Sequence, residues 1–215
     1  GNDMTSVGGV IPGFQNNSLL LSGSQDEKLS FPTFDFINMD LTFSFWFKPL
    51  TFVASDQLIY FNNTSSGSNR LQIYTNNNGA QLQVIYQGNG GTDLNAVDSG
   101  GYSLTLNQIY HIVFVITNGV QRLYINNQLE GTTDGTHITH IYNNNSIGYN
   151  NPDCKCLIDD FRIYNRELSN TEITNLYNLD AVNIEEGDIS GTNDKYISYK
   201  YTSGNDNGSG QSEYN

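Results

Sequence analysis

The stretch LTFSFWFKPL, residues 41–50, alternates strictly. Leu41, Phe43, Phe45 and Phe47 share one parity, and Thr42, Ser44 and Trp46 share the other. Successive side chains on a strand point to opposite faces. The phenylalanine row can therefore leave water only beneath a second layer of structure. Trp46, on the opposite parity, is also read as a core residue. Pro49, which has no N–H for a ladder bond, ends the run. Runs of the same kind recur along the chain: SLLLSG, KLSF, DQLIYFNN, RLQIYTN, AQLQVIYQ, YHIVFVIT, RLYINNQLEG, SIGY and CLIDDFRIYN. The tetrapeptide NNNG and the pair Asn126-Asn127 sit between such runs and predict hairpin turns, because Asn and Gly tolerate positive φ. Many short strands with regular turns predict an all-β fold, a two-sheet antiparallel sandwich.

One short helix closes it. LSNTEITNLYNL carries Ser169 as N-cap and Glu172 three residues on, a capping box worth about 1 kcal/mol. Leu168 and Ile173 form the hydrophobic staple, and Ile173, Leu176 and Tyr177 make one apolar face. Residues 1–15 read as an N-terminal arm, 16–180 as the sandwich and 181–215 as a polar extension. A chain opening on Gly1 is expected to be a processed form or a fragment. The extension holds one strand-like patch, KYISYKY, inside Gly/Asn/Ser-rich sequence. It is expected to dock on a partner, a second copy included, giving self-assembly through residues 181–215. The segment GNGGTDLNAVDSGG, residues 88–101, lacks periodicity and reads as a long loop of the kind that carries function.

The charge balance narrows the partners. Nine Lys and Arg against 22 Asp and Glu give a net charge of -13, which disfavours nucleic acid and anionic membrane surfaces. No run of eighteen apolar residues predicts membrane insertion. Cys154-Lys155-Cys156 is too sparse for a zinc site by itself. Free thiols, a strained local disulfide and a metal contact all stay open. Sequons at Asn16, Asn62, Asn63, Asn144 and Asn207 are weak signs of secretion.

Catalytic chemistry finds little purchase. Asp159 and Asp160 are adjacent on a strand, so the pleat is expected to separate them, and a shared-proton dyad is not available. The inward-facing acid then needs a partner: an Arg, backbone N–H groups or a metal ion. His111, within YHIVFVIT, reads as structural. His137 and His140 fall in a loop or strand with no nucleophile motif nearby. Binding remains. Sugar sites combine an aromatic platform with amide and carboxylate groups, since apolar sugar faces stack and hydroxyls need donors and acceptors. Tyr86 and Tyr102 flank the 88–101 segment with Asp93, Asn95 and Asp98, and Tyr142 and Tyr149 flank Asn144. Either rim is a candidate ligand site.

LTFSFWFKPL, then NQIYHIVFVITNGVQRLYINNQLEGT, then LIDDFRIYNRELSNTEITNLYN, in that order, resemble the laminin-G-like, concanavalin A-like jelly-roll domain of the pentraxin-related type. The resemblance implies a two-sheet jelly roll over roughly residues 16–180. It also implies a structural calcium ion, matched here by Asp159 on the last strand, Asp26 of SGSQDE and Gly23 as a carbonyl donor. The superfamily includes glycoside hydrolases, whose paired acids need suitable spacing across the bond, and no such alternating acidic run occurs here. The expectation is a non-enzymatic recognition module binding a glycan or surface protein, extracellular or cell-surface. A structural or decoration subunit of a virion is the alternative, and a glycoside hydrolase the weakest reading.

Overall fold

The computed structural model describes residues 5–7, 10–11, 18–22, 28–31, 33, 35–52, 57–62, 70–76, 80–88, 93–117, 120–134, 142–148, 155–181 and 196–198. Among these, the elements in chain order are β1 (Thr5–Val7), β2 (Val10–Ile11), β3 (Ser18–Ser22), β4 (Lys28–Phe31), β5 (Leu41–Pro49), β6 (Gln57–Asn62), β7 (Arg70–Asn76) and β8 (Gln81–Gly88). They continue as β9 (Asp93–Asp98), β10 (Tyr110–Thr117), β11 (Val120–Ile125), β12 (Gln128–Thr133), β13 (Asn144–Ile147), β14 (Lys155–Tyr164), α1 (Asn170–Ala181) and β15 (Tyr196–Ser198).

Two antiparallel sheets stack face to face, as the alternation predicts. One runs β1-β4-β13-β6-β7-β8-β9 and the other β12-β11-β10-β5-β14-β3-β2, with β15 alongside β14. The phenylalanine row of β5 faces the interior. Phe43 packs its ring against Phe61 at 5.6 Å and Phe114 at 6.2 Å, and Phe31 stacks on Phe161 at 5.5 Å. These rings tie the sheets together through the centre of the sandwich, where aromatic pairs add to area burial. The β11–β12 hairpin turns on Asn126 (φ 50) and Asn127 (φ 64), the paired positive φ of a type I′ turn. Asn126 is fixed on both sides: its N–H donates to the His111 carbonyl, and its Oδ1 accepts from the His111 N–H.

The outer face of the eight-stranded sheet is covered by α1. Val113, Val115, Tyr124 and Tyr164 of the sheet pack with Leu168, Ile173 and Leu176. The capping box forms as the sequence predicts: Ser169 N–H donates to Glu172 Oε2 at 2.8 Å, and Glu172 N–H donates to Ser169 Oγ at 3.3 Å. Trp46, on the parity opposite the phenylalanines, is buried here and stacks on Tyr177 at 6.0 Å.

Two expectations change, and one open question closes. Residues 93–98 are not part of a loop: they form β9, paired antiparallel with β8 from Gly88↔Asp93 to Gln83↔Asp98. Within the polar extension, Tyr196–Ser198 pairs with Arg162–Tyr164 of the same chain, so the strand-like patch is spent on its own sheet edge. The rest of 182–215 lies outside the described residues. Cys156 is a buried thiol outside any disulfide, while Cys154 lies outside the described residues.

Gln121 shares the parity of the core residues Leu123 and Ile125. It is fully buried, and neither end of its amide has a hydrogen-bond partner in the protein. Leaving such a group unpaired costs about 1–3 kcal/mol. Gln121→Leu, similar in size, is expected to stabilise the domain by about 1 kcal/mol, read as a raised Tm. A lowered Tm would show that the amide is satisfied.

Candidate functional site

Two of the predicted tyrosines are core residues. Tyr86 is 1 % exposed and Tyr142 0 % exposed, both inside the cluster between the sheets. Neither offers a ring face to a sugar. Burial, the larger cause, and the neighbouring Tyr86 also push the Tyr142 hydroxyl far above its ordinary pKa. Asp93, Asn95 and Asp98 take register positions opposite Gly88, Tyr86 and Gln83 on β9. Tyr102 is partly buried and packs edge-on against Tyr110 at 6.2 Å, its hydroxyl shifted upward chiefly by burial. Asn144 is partly exposed on β13, opposite Asn62 of β6. Tyr149 lies outside the described residues. The two tyrosine-flanked rims therefore do not assemble as read.

The structure places polar and aromatic groups together elsewhere, on the outer face of the seven-stranded sheet. Ile59, Phe61, Leu71, Ile73, Leu82, Val84, Tyr86 and Ile147 belong to the core, so alternation turns the residues between them outward. The register partners Thr5, Ser30, Ser146, Tyr60, Gln72, Ile85 and Ala96 form one row across all seven strands. Beside it, Tyr74 of β7 opposes Gln83 of β8, and the Tyr74 hydroxyl donates to Gln83 Oε1. Burial raises the Tyr74 pKa, with the Arg70 cation acting against it.

The middle of the row is sunk: Tyr60 is 5 % exposed, Gln72 4 % and Ser146 2 %. Tyr74, Gln83 and Ile85 around it are partly exposed. Strands β4, β13, β6, β7 and β8 contain no Asp or Glu, and their charged residues are Lys28 and Arg70. The acids of this sheet are confined to its edge strand β9, where Asp98 takes the register position opposite Gln83; the tyrosines, amides and hydroxyls of the five strands before it can stack on a sugar ring and hydrogen-bond its hydroxyls. RLQIYTN carried this signal in its alternation, with Arg70, Gln72 and Tyr74 on the parity opposite Leu71 and Ile73.

The two adjacent acids have a different explanation from the one the pleat suggested. On β5 the partners of Asp159 and Arg162 are Trp46 and Ser44. Between those pairs Asp160 and Phe161 of β14 stand against Phe45 alone on β5, a β-bulge that breaks the alternation. Ile158 and Phe161 both enter the core as a result. Asp160 takes the positive φ of 48°, and its N–H donates to Asp159 Oδ1 at 2.8 Å. Asp160 in turn holds Arg162 with both oxygens, at 2.8 Å to Nε and 2.6 Å to NH2.

The calcium expectation named Asp159, Asp26 and Gly23. Gly23 and Asp26 lie outside the described residues. Ser22, the last residue of β3, pairs with Lys155 of β14. Among the described residues no three carboxylate, imidazole or thiol groups come together to hold a metal ion.

Comparison with solved structures returns the same sandwich in toxin domains. The binding domain of botulinum neurotoxin serotype G aligns with a TM-score of 0.69 at 17 % identity, over 85 % of this chain and 47 % of that one. The binding domain of Paraclostridial Mosquitocidal Protein 1 aligns at 0.66 and 18 %, over 82 % and 47 %. A botulinum neurotoxin type C structure aligns at 0.66 and 19 %, over 83 % and 47 %. The likeness spans less than half of each of those chains and shows the shared fold. No curated protein matches by sequence. The sequence model of the concanavalin A-like lectin/glucanases superfamily matches residues 22–174, and with its ordered motifs and two-sheet jelly roll the chain belongs to that superfamily.

Proposed function

We propose that this chain is a non-enzymatic recognition module that binds glycans at a surface outside the cell. The observation that carries the reading is the outer face of the seven-stranded sheet. Its five strands β4, β13, β6, β7 and β8 hold no acid, and the acids of the sheet, Asp93 and Asp98, lie on the edge strand β9. The five strands present the partly exposed Tyr74 beside Gln83 and Ile85, with Tyr60 and Gln72 sunk below them. The paired acids that a glycosidase would need are committed differently on β14: Asp159 braces the bulge, and Asp160 holds Arg162. Relatives in fold lend support of a general kind. Entry of botulinum neurotoxin type C into cells depends on interaction with two ganglioside molecules.

The test is a glycan array probed with the full chain, once with calcium and once with chelator. Saturable binding is expected, with Tyr74→Ala losing it while the fold persists by circular dichroism. Binding that survives Tyr74→Ala would move the site off this face, and an array blank under both conditions would sink the glycan reading.

A further inference from the structure

We infer that the outer face of the seven-stranded sheet selects glycans bearing an anionic group, a carboxylate or a sulfate, and that Arg70 and Gln72 receive it. The inference rests on the glycan-binding reading and adds the charge class of the sugar. Two donors on one strand carry it. Gln72 is 4 % exposed, and its Nε2 has no hydrogen-bond partner in the protein. Arg70 Nε is likewise buried and without one. Both residues occupy the outward parity of β7, two apart, so their Cα atoms lie about 7 Å from one another along the strand. A buried amide N–H and a buried guanidinium N–H, each left unpaired, cost free energy that a ligand oxygen would recover.

The chemistry that recovers both is an anion. The guanidinium has donors only, in a planar fork suited to carboxylate or sulfate oxygens. The amide Nε2 supplies a further N–H to the same group. The three other arginines on described residues are already engaged by carboxylates: Arg122 with Glu167, Arg162 with Asp160 and Arg166 with Glu172. Arg70 stands on strands that contain no carboxylate to meet it. Ile85, a partly exposed register neighbour of Gln72, and Tyr74, partly exposed on the same strand as Gln72, supply apolar surface for the sugar ring.

The experiment titrates sialyl-lactose, 6-sulfo-lactose and lactose against the full chain and against Arg70→Gln and Gln72→Leu, at 50 mM and 500 mM salt. The expected result is at least about tenfold tighter binding of one acidic probe than of lactose, as charge-assisted hydrogen bonds give. That margin should shrink at high salt. Arg70→Gln removes the margin between the acidic probe and lactose, and Gln72→Leu reduces it. The two acidic arms separate a carboxylate from a sulfate specificity. Equal affinity for all three probes, or a margin that survives Arg70→Gln, overturns the inference and leaves glycan recognition standing. No binding to any probe or to the wider array overturns both. Because Gln72 is buried, thermal melts of each variant accompany the titrations, and the salt dependence of the unaltered chain tests the charge independently of any substitution.

Discussion

Acidification from pH 6.5 to pH 4.5 is expected to destabilise the domain by about 2–3 kcal/mol, the linkage of a single proton at about 1.4 kcal/mol per pH unit. The source is His111, 1 % exposed beneath α1. Its ring centroid lies 4.9 Å from that of Trp46 and 6.0 Å from that of Tyr177, and Nε2 shares a 2.9 Å hydrogen bond with Ser44 Oγ. Burial, and secondarily the Arg162 cation, hold its pKa down to about 3 from 6.5. Between those two values the unfolded chain binds a proton that the folded chain refuses, so stability rises with pH across that window. It is complete above pH 6.5 and lost as pH falls toward 3. Glu172 acts in the same sense lower down. The hydrogen bonds from Arg166, chiefly, bring its pKa to about 2 from 4.5, so a further loss begins below pH 4.5. Urea melts from pH 7.5 to 4 read the slope. His111→Gln keeps a hydrogen-bonding group near Ser44 and cannot titrate, so its profile between pH 6.5 and 4.5 should be flat. A slope as steep as the parent's in that variant would assign the acid sensitivity elsewhere.

His111 also shows what a single strand reveals. Its parity within YHIVFVIT puts it on the face opposite Ile112 and Phe114, while its structural reading rests on the family resemblance. That this face is the one beneath α1 required the Trp46 and Tyr177 rings to be placed. The inner face of β5 and the turn at Asn126-Asn127 were legible because alternation and positive φ are local properties. Strand β9 was not. DLNAVD mixes poor strand formers with Leu94, Ala96 and Val97, and its extended state comes from pairing on β8. The tyrosine rims failed for a related reason. Tyr86 shares the parity of Leu82 and Val84, a core parity, and its nearness in sequence to polar residues said nothing about its face. The Arg70, Gln72 and Tyr74 row was present in the alternation of RLQIYTN, but recognising it as one surface needed the register across seven strands.

The bulge on β14 was the least legible feature, because CLIDDFRIYN reads as an uninterrupted strand until it is laid against β5. Removing the Arg162 guanidinium there, as Arg162→Met, is expected to cost about 2–3 kcal/mol, less than the 3–5 kcal/mol of a fully buried pair because some solvent reaches both groups. The Arg162 and Asp160 side chains are 14 % and 20 % exposed. The two-pronged contact aligns Asp160 at φ 48°, a conformation that Asp tolerates better than most residues but does not prefer. Without Arg162, a partly buried carboxylate stays fixed at the bulge by its own backbone and has lost its counter-ion. Asp160→Asn keeps the shape and the tolerance for positive φ while dropping the charge, so its expected cost is smaller, about 1–2 kcal/mol. The double variant should be more stable than the sum of the two losses predicts, since it leaves no charge stranded, and a double-mutant cycle in urea at pH 7 measures that coupling. Arg162→Met carries a second signature: with the cation gone, the His111 pKa rises and the acid-sensitive window narrows from its low-pH end. Additive losses with an unchanged pH profile would mean that the bulge is held by the Asp159 to Asp160 backbone bond, and that the ion pair is incidental to it.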